Sequence, residues 1–336
     1  MSAPVHDPSL AVPTPSHGER RGSVGLARNL GLVIALVILC VVGVVTAGDR
    51  FASTDNVITI LRLAAAIGVV AVGMTFVITG GGIDLSVGAI VALASVWATT
   101  TGTQAMADDI GWIAMVLSAI LVGTACGAIN GLLVAYGKVV PFIATLAMLA
   151  SARGLAELIA DRKTQIIRNQ GFTDFFGAEP LGIPVIVIIF AVVVAAGWFL
   201  LNRTTFGRRT FAVGGNPEAA RLAGIKVQRH TVYLYTLLGA TCGIAAVMLM
   251  SRTTVGSSTH GTLWELDAIA AVVIGGTLLS GGRGTVIGTL FGVLIFMTLT
   301  NVFTLNNLST STQNVAKGVI IVVAVLLQQR IANRNP

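Results

Sequence analysis

Gly111-Trp-Ile-Ala-Met-Val-Leu-Ser-Ala-Ile-Leu-Val-Gly-Thr-Ala-Cys-Gly-Ala-Ile-Asn-Gly-Leu-Leu-Val-Ala-Tyr136 contains no charged side chain, and none occurs between Asp109 and Lys138. A helix needs about 20 apolar residues to cross the hydrocarbon of a bilayer, and this stretch is long enough. The remaining sequence has the same character. Of 336 residues, 54% are hydrophobic and only 10% are charged, against roughly 25% charged in a soluble protein. Too few polar groups remain to cover a soluble surface, so disorder, a fibrous protein and an ordinary soluble enzyme are excluded. Barrel strands would alternate polar with apolar residues, whereas these runs are continuous. The chain reads as an all-α integral membrane protein.

Ten apolar stretches are expected to span, near 30–47, 63–79, 85–101, 111–136, 141–160, 184–201, 232–251, 264–280, 285–304 and 311–329. Glycine and polar residues interrupt the segments near 80–86 and 256–265, so broken helices are expected there. Residues 1–28, with Pro4, Pro8, Pro13 and Pro15, read as a disordered tail. Val45-Thr46-Ala47 resembles a cleavage site, but the apolar run before it exceeds a usual signal core. It is read as an uncleaved first span. Residues 29–330 then form one membrane domain, with 331–336 as its terminus.

The connections alternate in charge. Residues 202–231 carry Arg203, Arg208, Arg209, Arg221, Lys226 and Arg229 against Glu218 alone, while 102–110 carries only Asp108 and Asp109. Basic loops stay in the cytoplasm, so both termini and loop 202–231 are expected there. The net charge of +7 follows from the same rule and not from nucleic acid. Cys40, Cys126 and Cys242 lie far apart in apolar runs and read as packing residues. Gly123, Gly127 and Gly131 recur every fourth residue, as do Gly284, Gly288 and Gly292. Small residues so spaced open a groove for close backbone approach.

No enzyme constellation stands out. His6, His17, His230 and His260 do not pair at metal-ligand spacing, and there is no G-x-x-x-x-G-K-[ST] phosphate cradle. Loop 202–231 is the informative connection. Asn216 and Pro217 form a helix start, Glu218 suits the first turn, Ala219 and Ala220 continue it, and Gly224 stops it. A docking helix and a plain connector fit these residues equally well. The intramembrane charges are Asp84, Arg153, Glu157, Glu265, Asp267 and Lys317. Such charges face a bundle interior or a water-filled cavity. Arg153 and Glu157, four residues apart, are expected to pair. Asp84 and Asp267 also fit as caps on half-helices.

Gly80-Gly-Gly-Ile-Asp-Leu-Ser-Val-Gly88, Asn130-Gly-Leu-Leu, Pro141-Phe-Ile-Ala-Thr-Leu146 and Arg153-Gly154 resemble the motifs of permease subunits of ribose-type sugar ABC importers. So do Ala212-Val-Gly-Gly-Asn216, Glu265-Leu-Asp-Ala268, Val273-Ile-Gly-Gly-Thr277 and Gly281-Gly-Arg-Gly284. The resemblance covers about residues 50–329. It implies a ten-span permease of vitamin-B12-importer-like architecture in a bacterial cytoplasmic membrane. A second permease subunit, a cytoplasmic ATPase that binds ATP and Mg, and an extracytoplasmic sugar-binding protein would be its partners, with no cofactor in this chain. Glu218-Ala-Ala-x-x-x-Gly224 resembles the motif by which such permeases dock on the ATPase. For a sugar pathway the candidates, by polarity and depth, are Asp84, Ser86, Asn130, Phe142, Thr145, Trp264, Asn301 and Gln313. The alternatives are a branched-chain amino-acid permease of the same superfamily and an ion-coupled secondary transporter.

Overall fold

The computed structural model describes residues 20–334. Most of the expected tail, residues 1–19, and the terminal pair 335–336 lie outside the described residues. Helix α1 runs Arg20–Ala47 and so takes in the last part of that tail; α2 (Asp49–Ala52) is a single turn and α3 is Thr54–Thr79. Then come α4 (Val87–Ala98), α5 (Thr101–Ile110), α6 (Ile113–Ala135) and α7 (Pro141–Ile159). After the two-residue strand β1 (Gln165–Ile166) follow α8 (Gln170–Gly177), α9 (Val185–Arg203), α10 (Thr205–Gly215), α11 (Pro217–Leu222) and α12 (Val227–Thr253). Strand β2 (Val255–Gly256), α13 (Trp264–Ile274), α14 (Val286–Leu305) and α15 (Thr310–Arg334) complete the order. The strands form one short antiparallel bridge, Gln165 opposite Gly256.

Among the described residues seven helices, α1, α3, α6, α7, α9, α12 and α14, are long and apolar enough to cross a membrane. Two of the ten expected spans fall short. α4 has 12 residues and α13 has 11, which at ~1.5 Å per residue is about half the ~30 Å of hydrocarbon. Their apolar composition suggested full spans, but glycine-rich segments interrupt the helical backbone beside each. Residues 80–86 separate α3 from α4, and 275–285 separate α13 from α14. The starts of the two half-helices meet: a Cβ on Gly88 would lie 2.0 Å from the carbonyl oxygen of Gly261.

α3, α4 and α12 form the centre. Every residue of α3 from Ala64 to Thr79 is buried, as is nearly all of α4. α1, α7, α9 and α15 lie outside and turn apolar faces outward, with Val41, Leu158, Val192 and Val315 all exposed. Water does not tolerate such faces; lipid or a partner helix does.

Glycine decides how closely the inner helices approach. A Cβ at Gly123 would lie 2.3 Å from the Gly239 carbonyl oxygen, and one at Gly127 would lie 2.2 Å from that of Tyr235. Gly131 meets Val232 in the same seam. α6 and α12 therefore run backbone against backbone. Gly288 and Gly292 do the same for α14 against α13, each with a would-be Cβ 2.0 Å from a carbonyl oxygen, of Gly275 and Ala271 respectively. Gly284, ahead of α14, serves a different contact, since its Cβ would strike the Thr79 hydroxyl.

Candidate functional site: an interior polar cluster and an exposed capped helix

α4 begins where Ser86 ends the break, and its first turn has backbone N–H groups without helical partners. Asp84 answers them. Its Oδ1 accepts from the Ser86 amide at 2.7 Å and the Ser86 hydroxyl at 2.5 Å. From the facing helix α6, Asn130 Nδ2 donates to Asp84 Oδ2 at 3.1 Å and to Ser86 Oγ at 2.9 Å. All three side chains are fully buried. The glycine seam makes this possible, since Asn130 lies beside Gly127 and Gly131 on the buried face of α6. Asn130 Oδ1 is buried with no hydrogen-bond partner among the described residues. The Tyr235 hydroxyl on α12 donates to the Ile83 carbonyl at 3.2 Å and holds the break from the other side. Tyr235 did not stand out in the sequence, because a lone tyrosine in a long helix carries no spacing signal.

The other interior candidates have other contacts. Thr145 is buried and its hydroxyl donates to the Pro141 carbonyl of its own helix at 2.9 Å. Phe142 is exposed and Trp264 is half-buried at the start of α13. Asn301 Nδ2 donates to Asn56 Oδ1 at 2.8 Å, joining α14 to α3. Gln313 Nε2 donates to the Leu308 carbonyl at 3.0 Å, within its own helix start. Asp84, Ser86 and Asn130 are thus the candidates joined by direct hydrogen bonds.

The expected Arg153–Glu157 pair is not made. Arg153 Nη1 instead donates to the carbonyls of Ser258 and, at 2.9 Å, His260, while Glu157 accepts from Arg162 at 3.2 Å. The loop between β2 and α13 brings irregular backbone against α7, and its carbonyls need donors when buried. An arginine with five donors serves them better than one carboxylate in its own helix. Glu265, half-buried, stands in the first turn of α13 with Asp267. Asp267 pairs with Lys317 of α15 at 3.3 Å, and Lys317 also lies 5.2 Å from the centre of the Phe296 ring. That tie fixes a half-helix to an outer helix.

The second feature is exposed. Asn216 caps α11, its Oδ1 accepting from the amides of Glu218 at 3.1 Å and Ala219 at 2.9 Å. Pro217 occupies the first helical position. Gly224 follows with φ of +81°, a conformation costly for residues with a Cβ. Ala220 is buried underneath, while Glu218, Arg221 and Leu222 face outward. Arg221 Nη2 donates to Glu218 Oε1 at 2.5 Å. That hydrogen bond, and then the guanidinium charge, hold the Glu218 carboxyl below the usual glutamate range.

α10 was not expected, although Thr204 as an N-cap signals it; the Thr204 hydroxyl accepts from the Gly207 amide at 3.3 Å. The Thr210 hydroxyl lies 2.9 Å from His230 Nε2, and Phe206 packs on the His230 ring, so α10 is fastened to α12. Its far end is fastened to the break. A Cβ on Gly214 would lie 1.8 Å from the Thr79 carbonyl oxygen, and the Gly282 amide donates to that same oxygen at 2.9 Å. The end of α3, the end of α10 and the α13–α14 connection thus meet at one point.

Comparison with known proteins finds relatives among membrane permeases. The family model described as branched-chain amino acid transport system / permease component matches residues 56–325. The ribose import permease protein RbsC of Bacillus subtilis (strain 168) is 44% identical over 308 residues, covering 91% of this chain and 94% of that relative. The L-arabinose ABC transporter permease protein AraH of Azospirillum brasilense is 36% identical, over 94% of this chain and 92% of its own length. The fructose import permease protein FrcC of Rhizobium meliloti is 37% identical, over 89% and 84%. No solved structure matches.

Proposed function

This chain belongs to the branched-chain amino acid transport system / permease component family, and we propose from that premise that it is the membrane-spanning subunit of an ATP-driven monosaccharide importer. The observation that carries the reading is the identity of 44% over 91% of the chain with a ribose import permease. The arabinose and fructose import permeases extend it to sugars as a class. In this reading α4, α13 and α15 join the seven long helices to make ten crossings in a vitamin-B12-importer-like subunit. Both termini and α11 face the cytoplasm of a bacterial cell. A second permease subunit completes the pathway, a separate ATPase binds ATP and Mg, and a binding protein delivers the sugar outside.

A sugar hydroxyl in hydrocarbon costs several kcal/mol unless it is paired. Polar groups on the inner helices lower that barrier, and Asp84, Ser86 and Asn130 are the strongest candidates. Thr145, Asn301 and Gln313 are weaker ones, since their hydrogen bonds fit structural roles, and Phe142, exposed, and Trp264, half-buried, stand apart from the cluster. α11 is a short capped helix that enters a groove of the ATPase. Because α10 sits on Thr79 and Gly282, displacement of α11 moves the end of α3 and the α13–α14 connection together. ATP biases the pathway only through unequal binding to its outward and inward states.

The test is uptake of labelled sugar by proteoliposomes holding this chain, its ATPase and its binding protein. Glu218→Ala with Gly224→Val is expected to abolish uptake and transport-linked ATP hydrolysis while the complex still inserts. Unimpaired uptake would count against the docking role, and ATP-independent uphill uptake by the chain alone would establish an ion-coupled carrier instead. The family's description also favours amino-acid cargo as a second reading. Uptake of leucine rather than ribose, arabinose or fructose would establish that one.

A further inference from the structure

Beside α11 lies a recess that the transport reading does not use. α10, the turn after α11 and the first turns of α12 enclose a cavity of about 500 Å³ walled by Thr205, Phe206, Arg209, Lys226, Arg229 and Tyr233 among others. That volume suits a small ligand. Arg209, Lys226 and Arg229 are exposed to it, and none takes part in an ion pair among the described residues. Glu218, the one acidic residue of 202–231, is already held by Arg221. No acidic residue is among those lining the recess, so an anion entering it meets cations alone.

The shape of the donors narrows the class of anion. Two guanidinium forks grip tetrahedral oxyanions bidentately, and a lysine adds a point charge. The Thr205 and Tyr233 hydroxyls supply neutral donors on the same wall. Phe206, packed against His230, gives the recess an apolar side. A basic pocket with an apolar wall at the end of membrane helices fits a lipid headgroup. We propose that this recess binds a phosphate-bearing anion, either a phospholipid headgroup or a soluble phosphate ester, between Arg209, Lys226 and Arg229. The proposal stands on the local geometry and does not require the cargo to be a sugar.

The experiment uses the full chain purified in detergent. Native mass spectrometry measures retention of phosphatidylglycerol against phosphatidylcholine, and calorimetry measures binding of glycerol 3-phosphate. Arg209→Gln, Lys226→Gln and Arg229→Gln are each expected to weaken binding roughly tenfold, the loss of one charge-assisted hydrogen bond. Arg208→Gln removes the same charge from the same exposed helix but lies outside the recess, and is expected to change binding less than twofold. Arg209→Lys keeps the charge but loses the bidentate fork, and is expected to weaken binding by less than Arg209→Gln does. Selective loss of phosphatidylglycerol assigns the site to lipid; selective loss of glycerol 3-phosphate assigns it to a soluble ester. Equal binding by wild type and the triple Gln variant overturns the proposal, as does an Arg208→Gln effect equal to that of Arg209→Gln.

Discussion

Asp84 is the residue on which the interior depends. A carboxylate with no exposed surface persists only where hydrogen bonds replace water, and here Ser86 and Asn130 supply them. Removing a donor leaves the acceptor buried and unsatisfied, a larger cost than the bond itself gains. Asn130→Ala is therefore expected to lower the stability of the purified protein by about 2–3 kcal/mol, read as a fall in thermal unfolding temperature. Asp84→Asn, which keeps the shape, is expected to cost less than Asp84→Ala. An Asn130→Ala protein that unfolds at the wild-type temperature would mean that the cluster holds nothing together. The sequence marked Asp84 and Asn130 as polar residues at membrane depth. It gave no sign that they bond to each other, because they are 46 residues apart on different elements.

Among the elements, the α6–α12 seam and the α11 stub make separate predictions. Gly127→Ala places a methyl where a carbonyl oxygen stands 2.2 Å away, so the two helices must separate along the seam. Overpacking of this kind costs about 1–3 kcal/mol or more. Gly154→Ala on α7 meets nothing within 4 Å among the described residues and is expected to be neutral or stabilising by up to about 1 kcal/mol, the helix-propensity gain. Unfolding temperatures of the pair check both signs at once; similar shifts would refute the backbone contact. For α11, Asn216→Ala removes a cap worth about 1 kcal/mol and is expected to fray the helix and reduce ATP-driven uptake without affecting insertion.

The pH dependence at α11 has a definite sign. Arg221 depresses the Glu218 pKa in the fold, so the contribution of the pair is present above the unfolded pKa and lost as pH falls through the lower folded value. Uptake is therefore expected to show no Glu218-dependent change from pH 8 down to the ordinary glutamate range. A transition near neutrality that Glu218→Gln abolishes would contradict this. The start of α11 was legible because capping is local; the choice of Glu218 partner was not, since Arg221 is one of several nearby cations.

For the whole molecule, the charge pattern makes the strongest claim. Loop 202–231 holds six cations against one acid, whereas 161–183 is balanced, with Asp161, Asp174 and Glu179 facing Arg162, Lys163 and Arg168. Opposite sides of the membrane are expected for the two, because Lys and Arg are retained in the cytoplasm. Single cysteines at Arg168 and Arg221, in a background lacking Cys40, Cys126 and Cys242, are expected to react with an impermeant thiol reagent from opposite faces. Labelling of both from one face would require an even number of crossings between them, in place of the single crossing of α9, and would defeat the ten-crossing reading.

Hydropathy by itself determined that the chain is a helical membrane protein and roughly where its helices lie, because lipid forces each spanning segment to satisfy its backbone internally. It also determined the cap of α11 and the small-residue faces, since both are set within a few neighbouring residues. Only the tertiary structure decided that α4 and α13 stop at half-length, that Arg153 serves a distant loop and not Glu157, and that Asp84 meets Asn130. Apolar composition is the same in half a span and a whole one. Partners for buried polar groups are chosen by which backbones approach, and glycine seams many residues apart set that approach.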